Sequence, residues 1–125
     1  MGIGLRAATA EAFGTMAELG AIDLSFLDRV TFRDRALARE VLVLFGKQAE
    51  SLLLQIADAG DERVRRATAH RLKGAARGVG AFEVARAAED IETAKDATEF
   101  VAALARLTAR VTEARLALAG LVGNA

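Results

Sequence analysis

Apolar residues recur at three- and four-residue steps through four long stretches of this chain, and short polar or glycine punctuation separates the stretches. That period places them on one face of a helix. The first stretch predicts a helix capped by Thr31, with Asp34 in a variant of the capping box, running towards Ala59 and ended by Gly60. Its stripe is Leu37, Val41, Leu44 or Phe45, Gln48 or Ala49, Leu52 and Ile56, and the apolar run from Val41 to Phe45 implies burial around much of its circumference. Gly46 interrupts this helix, which neighbouring apolar residues should hold through packing. Asp61 caps the second helix, and Glu62 meets the positive end of its dipole. Gly80 suits the left-handed residue that closes it.

A short turn leads to a third helix with the small-residue face Ala81, Val84, Ala88 and Ile91, which allows close approach to a neighbour. A cap between Asp96 and Thr98 opens the fourth, whose stripe is Phe100, Leu104, Leu107, Val111, Ala114 and Leu118. Ahead of these, Leu5, Ala8, Ala12, Met16 and Leu19 permit an amphipathic helix, although Gly2, Gly4 and Gly14 weaken it, and Asp23 can cap a short turn reaching Val30. The expected fold is therefore all-α: an antiparallel four-helix bundle over 23–125, with an accessory helical segment over 1–22, in a single domain. Gly120 and Gly123 should let the C-terminus fray.

Composition supports this and removes several functions. The 125 residues suit one domain, and the chain has neither proline nor cysteine. Without cysteine there is no disulfide or thiolate site, and one histidine cannot build a zinc centre, so neither metal nor cofactor is expected. Seventeen Lys plus Arg balance seventeen Asp plus Glu, which gives no support to nucleic-acid binding. No apolar run reaches the roughly 18 residues of a membrane span, and Met1 to Gly20 lacks the pattern of a secretory signal. A cytoplasmic monomer is expected.

The single histidine, His70, stands on the second helix. Helical spacing gathers Val64, Thr68, Leu72, Ala75 and Val79 on one side and Arg63, Arg66, His70, Lys73, Gly74 and Arg77 on the other. An imidazole facing solvent is a nucleophile, since an unperturbed histidine titrates near about 6.5 and is largely neutral at pH 7. Lys73 adds a cation and Gly74 a patch of bare backbone one turn further on. Glycine inside a helix costs about 1 kcal/mol relative to alanine, which calls for a docking or packing reason.

The run from His70 through Lys73, Gly74 and Gly80 to Ala81 resembles the signature of histidine-containing phosphotransfer domains. The helix from Leu37 to Ile56 and the segment Ala88 to Glu92 are similar to the flanking parts of that family, so the resemblance covers roughly Asp23 to Leu118. It implies a phosphorelay intermediate: His70 accepts a phosphoryl group from the aspartate of one receiver domain, on a hybrid histidine kinase, and passes it to a response regulator. The family has no kinase centre, and the chain has no GxxxxGK[ST] loop for ATP. The resemblance further implies that Lys73 steadies the phosphoryl group, that Gly74 lets the receiver approach, and that Glu92 hydrogen-bonds the imidazole nitrogen that is not phosphorylated. Arg66 and Arg77 extend the basic side towards the acidic pocket of a receiver, while Gly78 loosens the turn that carries Arg77. Two other classes stay open at this stage: a helical module that binds a kinase or regulator without carrying phosphate, and an enzyme using His70 as general acid or base.

Overall fold

The computed structural model describes residues 20–122, and the accessory segment expected over 1–22 lies almost wholly outside them, as do residues 123–125. Among the described residues there are five helices and no strand: α1 (Leu24–Val30), α2 (Arg35–Asp58), α3 (Glu62–Val79), α4 (Phe82–Thr93) and α5 (Ala97–Val122). Helices α2 to α5 form the all-α bundle that the sequence predicts. Each packs against its two neighbours in the cyclic order α2, α3, α4, α5. The short links 59–61, 80–81 and 94–96 force successive helices to run antiparallel.

The caps explain where these helices begin. Carboxylates of Asp23, Asp34, Asp61 and Asp96 accept from the backbone N–H groups of Phe26, Leu37, Arg63 and Glu99. Each satisfies one of the donors that a helix start leaves unpaired. Asp34, not Thr31, is thus the cap of the long first bundle helix. Thr31 instead closes α1, buried, with its hydroxyl donating to Leu27 O at 2.7 Å. Phe32 and Arg33 turn the chain there with φ of 56° and 59°, a left-handed pair that the apolar pattern did not reveal. At its far end α2 stops at Asp58, where Ala59 becomes extended before Gly60 is reached.

Gly80 closes α3 as expected, with φ 84°. Ala81 N donates to Ala76 O at 2.9 Å and Gly80 N to Arg77 O at 3.4 Å, the paired bonds of a Schellman turn. Helix α1 lies against this turn: Asp23 N donates to Gly80 O at 2.9 Å, and Phe26 meets Phe82 edge-on at 5.1 Å between ring centres. The helix continues through Gly78 without a break.

The core corrects two expected faces. On α2, Leu42 and Phe45 are buried but Val43 is open to solvent and Leu44 is 66 % exposed, so the helix buries one stripe and not most of its circumference. On α3 the buried line is Thr68, Ala69, Leu72, Ala76 and Val79, while Val64 is 50 % exposed. On α4 the expected small-residue face is buried: Val84, Ala88 and Ile91, joined by Ala85 and Ala87. Gly46 has a packing reason, because a Cβ there would stand 3.2 Å from a methyl of Leu118. No helix among the described residues is long and apolar enough to cross a membrane.

A Cβ at Gly80 would lie 3.0 Å from Asp23 O in a backbone region that L residues avoid. Gly80→Ala should therefore destabilise the fold by about 1–2 kcal/mol, the cost of a left-handed alanine. Thermal unfolding should show a fall of roughly 4–8 °C for each kcal/mol.

Candidate functional site

Ala69 and Ala76 on α3, Ala81 in the turn and Ala88 on α4 are small and have no exposed surface. Small side chains let two helices approach closely, and groups flanking the contact then come within bonding range. On α3, His70 and Lys73 flank the seam between the two helices, and Glu92 on α4 answers both. Glu92 Oε2 lies 2.9 Å from His70 Nδ1, and Oε1 lies 2.7 Å from the ammonium of Lys73. Residues 22 positions apart in sequence thus meet across the seam.

The three groups differ in exposure. The His70 side chain is 69 % exposed, that of Glu92 20 % and that of Lys73 only 13 %. Helical spacing put Lys73 on the solvent side with His70. The structure folds it inward against Glu92, because a long side chain can lie along the seam and bring its charge to a buried partner. Oε1 of Glu92 is fully buried and is held by the Lys73 ammonium. Burial alone would raise the Glu92 carboxyl above the ordinary carboxylate range. Hydrogen bonding and charge from Lys73 and His70 outweigh that burial and bring it below. An ionised carboxylate only accepts, so Nδ1 carries the proton in the contact with Oε2, and neutral His70 keeps the lone pair of Nε2.

Gly74 is exposed, and a Cβ built on it would meet nothing within 4 Å. Packing among the described residues therefore gives no reason for glycine there. Arg66 is drawn to α4 instead of standing free for a partner: its guanidinium donates to Ala94 O at 3.1 Å and pairs with Glu62. It ties the site helix to the end of α4, close to Glu92. Arg77 is exposed and makes no ion pair among the described residues. Arg71, one position after the histidine, is exposed as well. Among the described residues no cluster of His, Asp and Glu is suited to hold a metal ion.

The described residues thus form a helical bundle with an exposed imidazole braced from the next helix. Residues 40–117, more than half of the chain, match the sequence model of the Hpt domain, and the chain belongs to that family. Hpt domains are helical bundles that serve as phosphocarriers, not kinases, and work with receiver domains in phosphorelays. Comparison with curated proteins and with solved structures returned no match.

Because the folded Glu92 carboxyl titrates below its unfolded value, its contribution to stability is complete above about pH 4.3, the ordinary glutamate value, and is lost as pH falls through the lowered folded value. Denaturant titrations of wild type and Glu92→Gln should show the wild-type advantage at pH 7 shrinking below about pH 4. Gly74→Ala, with open space for its methyl, should stabilise the helix by about 0.5–1 kcal/mol in the same assay.

Proposed function

We propose that the protein is a phosphorelay intermediate whose His70 takes a phosphoryl group from the aspartate of a hybrid kinase's receiver domain and delivers it to the receiver of a response regulator. The observation that carries this reading is the exposed His70 ring with Nδ1 engaged by Glu92, which leaves Nε2 as the nucleophilic nitrogen. The Nε2 lone pair attacks phosphorus as the acyl phosphate P–O bond breaks. An N–P bond forms, the carboxylate departs with the electron pair, and Nδ1 keeps its proton.

Transfer of this kind depends mainly on positioning and on neutralising phosphoryl oxygens. Glu92 sets the ring. Arg71 and Arg77 are exposed on α3 and make no ion pair among the described residues, and their charge can draw in the acidic pocket of a receiver and raise the encounter rate. The open backbone at Gly74 gives the partner room to approach the ring. The carrier is read as a cytoplasmic monomer, its core closed within one chain.

Incubation with a phosphorylated receiver should label wild type with an acid-labile, alkali-stable phosphoryl group and leave His70→Gln unlabelled. Equal labelling of the variant, or none of the folded wild type across a broad receiver panel, would overturn the assignment. Gly74→Gln should retain the fold and slow transfer about tenfold or more, since displacing the reacting atoms by an ångström costs on that order.

A further inference from the structure

We propose that a groove at one end of the bundle is the docking site of this chain's own residues 5–19. The groove lies between α1, the first two turns of α2 and the last turn of α5. Leu27, Leu42, Leu121 and Val122 supply its apolar lining, and its volume of about 560 Å³ is that of a binding cleft. Leu24, which also lines it, is 38 % exposed. Apolar lining of this kind gains by being covered. The family match runs over 40–117, and of the described residues that line the groove only Leu42 falls inside it. The groove therefore belongs to what this chain adds around the shared bundle.

The segment that leads into α1 carries the complementary pattern. Gly20 and Ala21 are helical, Ala21 and Ile22 are buried, and the chain passes from them directly into α1, one wall of the groove. Leu19 stands five positions before Leu24, a reach of at most roughly 18 Å. Leu5, Ala8, Ala12, Met16 and Leu19 recur at helical spacing as one apolar stripe. At about 100° per residue, Glu11 and Glu18 fall along one flank of that stripe and Arg6 along the other. The groove has the same asymmetry with opposite sign. Arg35 and Arg39 line it from α2 and make no ion pair among the described residues, while Asp28 lines it from α1, where it meets Arg33 at 3.7 Å. A stripe seated on the apolar lining thus sets its acidic flank against the arginines and Arg6 against Asp28. Tethering strengthens the match, because a short link gives the segment a millimolar effective concentration that a free partner must equal to compete.

The chain has no cysteine, so one introduced thiol can carry a nitroxide. Placed by Ala119→Cys, at an exposed position one turn before Val122, it should broaden the amide signals of residues 5–19 in the nitrogen-15 spectrum of the full chain, although they lie far from it in sequence. In a mixture of nitroxide-bearing unlabelled protein with nitrogen-15 wild type, the same signals should stay sharp. Signals that stay sharp in the first sample overturn the proposal, and equal broadening in the mixture does so too, because it would put a second copy in the groove. Charge reversal supplies the second arm, read by thermal unfolding. Glu11→Arg with Glu18→Arg should lower the midpoint by about 3 °C in wild type, where two exposed pairs are lost. In a background of Arg35→Glu with Arg39→Glu the same change should raise the midpoint, because opposite charges face each other again. An equal effect in the two backgrounds would leave the two sets of charges out of contact and overturn the proposal.

Discussion

Everything distinctive about the site follows from how closely α3 and α4 approach. Buried Ala69, Ala76, Ala81 and Ala88 lack the side-chain bulk that ordinarily holds helices apart, and the two-residue turn at Gly80 and Ala81 fixes their relative register. Only with that spacing does a glutamate on one helix reach a histidine and a lysine on the other. A single His70–Glu92 hydrogen bond, partly open to water, contributes about 0.5–1.5 kcal/mol. Full burial of one Leu72- or Ile91-sized side chain contributes about 1.5–3 kcal/mol. The apolar seam sets the geometry, and the polar contacts are arranged by it.

That ordering suits a group carrier. The His70 ring is left exposed, and it is held from behind by a carboxylate that is largely withdrawn from water. Exposed ion pairs contribute little and are easily rearranged. The Glu92–Lys73 pair is different: most of its surface is withdrawn from water, so its geometry is held by packing as well as by charge. Arg66 reinforces the same region by tying α3 to the carbonyl at the end of α4. Flexibility is kept on the solvent side, rigidity on the side of the ring that must not turn.

Glycines show how one residue type serves opposite ends. Gly80 is required by backbone conformation and by the approach of Asp23, and Gly46 by the methyls of Leu118. Among the described residues neither reason applies at Gly74, where a Cβ would meet nothing within 4 Å.

Local sequence was enough to place the helices, because their periods, the aspartate caps and the left-handed glycine at 80 act within a few residues. The same local logic made His70 visible and exposed. It went astray where tertiary context competes with it. The local pattern favours Thr31 as the cap of α2 with Asp34 as its capping-box partner, whereas the left-handed pair Phe32 and Arg33 separates the two and Asp34 takes the cap. Leu44 and Val64 carry apolar side chains at helical spacing yet face water, since a neighbouring helix covers only one stripe of each. Lys73 shares a face with His70 on a helical wheel, but its long side chain lies down against a carboxylate supplied by another helix, and Arg66 turns to the end of that same helix. The sequence by itself determined the helices, the bundle class and the exposed place of the single histidine, because those follow from interactions within a turn or two of chain. Only the tertiary structure decided which charges meet, because the length of a side chain and the distance between two helix axes are settled together when the core packs.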